Sequence, residues 1–121
     1  MKEPKQIIVM RKDLNMRKGK MVAQGAHASM AAILQSNKEI KKSSALEEWL
    51  NGRFTKICVS VNSEEELLTV YNQAKEAGII CSLITDAGLT EFNGVPTITC
   101  AAIGPDYPEK IDPITKDLKL L

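Results

Sequence analysis

Lys20, Gln24 and His27 stand at i, i+4 and i+7. On a helix turning about 100° per residue, this spacing gathers an ammonium, a carboxamide and an imidazole into one narrow stripe. Those three groups are a fixed charge, a hydrogen-bonding amide and a ring able to exchange a proton, which together can meet a ligand in a groove. The plain alternative is the solvated face of an amphipathic helix, since the opposite side carries the apolar Val22, Ala26, Met30 and Ile33. Composition weighs against it. Ordinary exposed faces are filled with Glu and Lys, whereas here the polar groups sit between alanines, as suits an occupied groove.

A second set lies in the segment DAGLTE, where a turn at Gly88 would present the Asp86 carboxylate and the Thr90 hydroxyl on one side of a tight loop. Its plain alternative is an Asx-turn, with Asp86 bonding its own backbone. A third set, Arg17, Lys18 and Lys20 around Gly19, reads as a flexible basic loop at a helix start, where free amides add to the attraction for phosphate. It is not a P-loop, because the Gly-x-x-x-x-Gly-Lys-Ser/Thr pattern is absent, and no Gly-x-Gly-x-x-Gly occurs.

Charge sharpens the third set. The chain has 16 basic and 15 acidic residues in 121, a net charge of +1, yet residues 1–20 hold seven basic groups against Glu3 and Asp13. One end is electropositive, which fits a phosphate-bearing partner. Aromatic residues, at 4%, are too few for stacked bases to be the main mode of recognition. His27 is the only histidine, so a multi-histidine metal cage cannot be built, and Cys58, Cys81 and Cys100 lack a zinc spacing. Each cysteine lies in an apolar stretch, which predicts buried, reduced thiols and a cytoplasmic setting. No apolar run approaches the roughly 20 residues that span a bilayer, and MKEPKQIIVM is too short and too soon polar for a secretory signal.

The length predicts one domain over residues 1–121. QIIVMR reads as a first strand, followed by helices from Lys20 to about Leu34 and from Lys38 to Leu50, then FTKICVSV as a strand. Ser63 with Glu66 fits a capping box for a helix that stops at Gly78. IICSLIT and PTITCAAIG read as further strands, and Pro108 opens a terminal helix that Pro113 interrupts. The order β-α-α-β-α-β-β-α predicts an α/β fold with crossover connections and hence a largely parallel sheet. In such folds, sites gather on the loops leaving the carboxyl ends of strands, where the polar sets lie.

Taken together, VMRKDLNMRKGKMVAQGAHASMAAIL, LITDAGLTEF and AAIGP followed by LKLL resemble the type II peptidyl-tRNA hydrolases over nearly the whole chain. Arg11, Asp13, Leu14, Lys18, Gly19, Lys20, Ala23, Gln24 and His27 match one family motif, and Asp86, Ala87, Gly88 and Thr90 match another. The resemblance implies a single three-layer domain with a four-stranded mixed sheet flanked by helices on both faces, often a homodimer. It also implies hydrolysis of the ester between a peptide and the 3′ ribose of tRNA, with no cofactor. Lys20, His27, Asp86 and Thr90 are the implied catalytic residues, with Gln24, Arg11, Arg17 and Lys18 binding the substrate. Arg17 departs from the Gly or Ser common before Lys-Gly-Lys, and NGVPT replaces a more usual Pro-Gly-Thr approach to the last strand. Both departures bear on substrate range.

Chemistry leaves the general base open between His27, as a neutral imidazole, and Asp86, as a carboxylate raised by burial. Two further classes fit the composition. A noncatalytic RNA-binding or adaptor domain would bind tRNA without cleaving it, and a regulatory ligand-binding domain would show no salt-dependent tRNA binding.

Overall fold

The computed structural model describes residues 2–38, 44–88 and 92–121. The chain runs β1 (Lys5–Arg11), α1 (Lys18–Lys38), α2 (Ser44–Asn51), β2 (Lys56–Val61), α3 (Glu64–Glu76), β3 (Cys81–Asp86), β4 (Thr97–Asp106), α4 (Pro108–Thr115) and β5 (Lys119–Leu120). The α/β class and the order of the predicted elements hold.

The sheet differs from expectation in two respects. Among the described residues it has five strands in the order β3-β4-β1-β2-β5, the last formed by the C-terminal LKLL segment. It is mixed but not largely parallel: among these strands β1 and β2 are the one parallel pair, while β1–β4, β3–β4 and β2–β5 are antiparallel. The reason is that β4 returns from β3 by a loop rather than a helical crossover and then pairs with β1 as well, separating β1 from β3. β3 still runs in the same direction as β1, because each is antiparallel to β4.

Alternation along β1 sorts the core into two clusters. Ile7 and Val9 pack with Ala101 and Ile103 against Leu67, Val70 and Ala74 of α3 and Ile111 of α4. Ile8 and Met10 pack with Cys100 and Ala102 against Ala28 and Ala32 of α1.

The face that α1 turns to the sheet is not its large apolar side. Gln24, Gly25, Ala28, Ser29 and Ala32 are buried, while Val22 is 73%, Met30 59% and Leu34 53% exposed. Small residues win this face because they let the helix lie close: a methyl placed on Gly25 would already touch Ile8 at 3.5 Å. Close approach leaves backbone and side-chain polar groups that need partners. Gln6, fully buried, donates to the carbonyls of Gly104 (3.1 Å) and Ser29 (3.4 Å) and accepts from Ser29 Oγ (2.6 Å). Ser82 of β3 donates to the Ala28 carbonyl at 2.7 Å. The position of α1 over β1 and β3 is therefore fixed by hydrogen bonds as well as packing.

Element ends follow local chemistry. Ser63 Oγ accepts from the Glu66 amide (3.0 Å), and Glu66 reaches back to the Asn62 amide (2.7 Å), so the capping box forms one residue wider than its usual reciprocal bond. Gly78, at φ +73°, ends α3 with Gly78 N to Lys75 O and Ile79 N to Ala74 O bonds, a Schellman closure. The helix predicted from Lys38 begins at Ser44, and residues 39–43 of that prediction lie outside the described residues. Strand β2 starts at Lys56 rather than Phe54, whose φ of +62° is incompatible with an extended chain. Pro113 does not interrupt α4: it needs no amide partner, and the Glu109 carbonyl four residues earlier belongs to an exposed residue. Of the three free cysteines only Cys100 is buried; Cys58 is exposed and Cys81 lies between. Cys58 lies on β2, one strand in from the β5 edge, and belongs to neither core cluster.

Candidate active site

Strand β3 delivers Asp86 to its carboxyl end, and the first turn of α1 delivers Lys20 to the same place. Lys20 Nζ donates to Asp86 Oδ1 at 2.8 Å, across 66 residues of sequence, with side chains only 15% and 13% exposed. One turn further along α1, Gln24 Nε2 donates to the same oxygen at 3.3 Å. The other oxygen, Oδ2, accepts from the Gly88 amide at 2.8 Å. The Asx-turn reading of Asp86 holds for one oxygen, while the other takes the lysine; the pairing with the Thr90 hydroxyl lies outside the described residues. Gly88, at φ +82°, is required, because a Cβ there would strike the Val95 backbone. The Gly94 amide also donates to the Gly88 carbonyl at 2.7 Å, so the NGVP segment braces the turn that carries Asp86.

The donors around Asp86 decide its protonation. The Lys20 hydrogen bond first, then the Gly88 amide, hold its carboxyl below the usual aspartate range; burial opposes them and is outweighed, with the Lys20 charge and Gln24 adding to the lowering. The burial-raised carboxylate anticipated as one possible base is overturned, and Asp86 is an anion held against the lysine.

The remaining predicted residues differ in where the structure puts them. Gln24 is buried, and its Oε1 accepts from the Thr99 hydroxyl of β4 at 2.6 Å. His27 is exposed on the flank of α1 that also carries Lys20, and it forms no hydrogen bond with Asp86. Thr90 lies outside the described residues. Arg17 and Lys18 are exposed at the start of α1, where residues 18–20 form the first helical turn rather than the flexible loop expected, with no acidic residue among them. Arg11 is occupied: it makes a two-pronged pair with Asp13 (2.7 and 3.2 Å) and donates to the Ile98 carbonyl at 3.0 Å. It ties β1 to the start of β4. Thr99 was missed in the sequence, where it reads as one more β-branched strand residue. Phe92 was also missed; its ring lies 5.8 Å from Lys20 Nζ.

An open cavity of about 390 Å³ lies elsewhere, lined by Val61, Glu65, Glu66, Thr69, Val70 and Leu118 among others, and shares no residue with the Lys20–Asp86 cluster. No group of three or more His, Cys, Asp or Glu that could hold a metal ion occurs among the described residues. No helix is long and apolar enough to cross a membrane, again among the described residues.

An anionic carboxylate locked to an ammonium at the carboxyl end of β3 makes this an α/β domain of the class that gathers its polar groups beyond strand ends. Comparison with known proteins gives the class its family. The family model for Peptidyl-tRNA hydrolase PTH2 matches residues 4–121. A peptidyl-tRNA hydrolase of Methanocaldococcus jannaschii is 50% identical over 97% of this chain and 99% of its own length. One of Methanothermobacter thermautotrophicus is 47% identical over 97% and 99%. A probable peptidyl-tRNA hydrolase 2 of Dictyostelium discoideum is 42% identical over 96% of this chain and 54% of its own length. The chain belongs to the PTH2 family of peptidyl-tRNA hydrolases and is an enzyme of that family.

The lowered Asp86 carboxyl has a consequence for acid stability. Its folded value lies below its unfolded value of about 3.9, so the unfolded chain binds the proton first as pH falls. The stabilisation is full above the unfolded value and is lost as pH drops through the folded one. Urea unfolding of wild type and Asp86→Asn should therefore differ most at pH 6, with the gap closing below about pH 4. A gap that stays constant to pH 2.5 would show that the carboxylate is not held by its donors.

Proposed function

We propose that this chain, as one domain of residues 1–121, hydrolyses the ester joining a peptide to the 3′ ribose of tRNA. The observation that carries the reading is the Lys20–Asp86–Gln24 junction, where a cation, an anion and an amide converge from two elements at one point. Water attacks the ester carbonyl, the carbonyl oxygen takes up negative charge, and the bond to the ribose oxygen then breaks. The ribose oxygen leaves with a proton and the peptide with a carboxylate. Lys20 faces the charge that develops, and Asp86 holds the ammonium in place. Asp86 Oδ2 accepts one bond from Gly88 and has acceptor capacity left to orient the attacking water. Its low proton affinity makes it a positioner of water more than a strong base, which leaves proton movement to the exposed His27 on the same helix flank. Thr90 follows Asp86 by four residues and is assigned to hold the ester.

The tRNA backbone meets Arg17 and Lys18, which are exposed beside the junction at the start of α1; Arg11 serves the substrate by shaping the rim through Asp13 and Ile98. The packing of α1 and of α3 with α4 on separate sets of sheet residues supports the three-layer reading. The exposed Val22, Met30 and Leu34 of α1 support a homodimer meeting on this helix. A substrate made by translation sets the cytoplasm as the place of work.

Purified protein should release tRNA from N-blocked aminoacyl-tRNA. Lys20→Ala and Asp86→Ala should each lower the saturated rate at least tenfold, about 1.4 kcal/mol of barrier. His27→Ala should lower it too while leaving thermal unfolding unchanged, because the ring is exposed. Binding of tRNA without cleavage by wild type would point to the adaptor class instead.

Replacing Arg17 and Lys18 together by alanine should flatten the salt dependence of tRNA binding, by roughly one in slope per lost phosphate contact, and spare the saturated rate. An unchanged slope would place the tRNA backbone elsewhere.

For the dimer, sedimentation equilibrium should give twice the chain mass for wild type and a shift toward monomer for Met30→Glu. Monomeric wild type at micromolar concentration would remove the interface.

A further inference from the structure

Strand β4 breaks its own alternation at one residue. Ile98 packs with the cluster under α3, and so do Ala101 and Ile103; Cys100 and Ala102 belong to the cluster under α1. Two residues apart, Ile98 and Cys100 should share a face and do not. The pairing with β3 gives the reason: Ile84 opposes Cys100 and Thr85 opposes Ile98, so Thr99 is left as an extra, unpaired residue. This β-bulge re-aims the chain at the point where β4 passes α1. Its effect is that Thr99 and Cys100, neighbours in sequence, both reach Gln24: the Thr99 hydroxyl donates to Gln24 Oε1 at 2.6 Å, and Cys100 Sγ donates to the Gln24 carbonyl at 3.3 Å.

We propose that Thr99, turned toward α1 by the bulge, is a positioning residue for the reaction: its hydroxyl locks the Gln24 carboxamide so that the amide nitrogen meets Asp86. This rests on the site assignment made above. The carboxamide torsion of glutamine is broad, and its two ends are nearly equal in shape, so packing alone does not choose which end faces the carboxylate. Asp86 as an anion accepts only, and Gln24 must give it a donor. The oxygen of the same amide is then buried, and Thr99 Oγ1 is its partner. Without that hydroxyl, the amide oxygen is left without a hydrogen bond and the amide turns to find one, giving up Asp86. Thr99 itself is fully buried, so it acts through Gln24.

Among the described residues, the groups facing the Asp86 carboxylate are Lys20 Nζ and Gln24 Nε2 from α1 and the Gly88 amide from its own loop. Loss of one donor raises the proton affinity of Asp86. This is a readout that a merely structural role would not move, and one that does not depend on which reaction the site performs.

The test is the carbon-13 NMR titration of the Asp86 carboxyl in wild type, Thr99→Val, Thr99→Ser and Gln24→Ala, with the saturated rate on N-blocked aminoacyl-tRNA measured alongside. Thr99→Val should move the midpoint up, as Gln24→Ala does, and Thr99→Ser should restore it. The rate of Thr99→Val should fall roughly tenfold at unchanged KM, and adding Thr99→Val to Gln24→Ala should cost nothing further. If Thr99→Val is not folded, Thr99→Ala carries the same comparison. A midpoint that stays at the wild-type value in the hydroxyl-free variant, while Gln24→Ala moves it, would overturn the proposal. So would additive losses in the double variant. Titrations that behave as expected in a protein without hydrolytic activity would uphold the lock and reject the assigned reaction.

Discussion

The candidate site is organised around one ion pair. Lys20 and Asp86 are nearly closed off from solvent, and taking two charges out of water is costly unless further hydrogen bonds support them. Here the supports are Gln24 on one carboxylate oxygen and the Gly88 amide on the other. Each support imposes a requirement on the chain: α1 must lie close to β3, and the backbone after Asp86 must turn tightly. Glycine and alanine on the buried face of α1 meet the first requirement, and Gly88 at positive φ meets the second. An ordinary amphipathic helix, resting on Val22 and Met30, would stand further from the sheet and turn Lys20 and Gln24 to another quarter.

Sheet topology serves the same end by a route different from the one composition suggests. Only β1 and β2 are parallel neighbours, yet β1, β2 and β3 all run in one direction, because β4 is antiparallel to the strand on each side of it. Arg11, Val61 and Asp86 therefore leave the sheet at one end, and Thr97 enters it there. The rule that places α/β sites beyond the carboxyl ends of strands survives, although the sheet is not the parallel one from which the rule is usually argued. The inserted β4 does more than fill a gap: Arg11 is tied to it through the Ile98 carbonyl, and Gln24 through Thr99 and Cys100.

What could be read from sequence was local. Ser63 and Glu66 announced the α3 cap, Gly78 its end, and the i, i+4 spacing of Lys20 and Gln24 their shared flank, because each depends on residues within a turn or two. Asp86 and Gly88 likewise made their own turn. What could not be read depends on partners far along the chain. The face α1 buries is set by the sheet beneath it, not by the size of its own side chains. The place of β4 is set by which edge of β1 is open, and the bulge at Thr99 by register against β3. The protonation of Asp86 turned on a contest between burial and donors, and the winner is visible only when Lys20 and Gly88 are seen on its oxygens. The strand β5 is two exposed residues long, too short for any pattern.

The central claim is that Lys20 and Asp86 act as one unit in ester hydrolysis, which a double-mutant cycle on the rate measures directly. Saturated rates of wild type, Lys20→Ala, Asp86→Ala and the double variant on N-blocked aminoacyl-tRNA close the cycle. Acting as a unit, the pair predicts a double variant no slower than the slower single variant. Losses that multiply would mean that the two residues work independently, and would contradict the account.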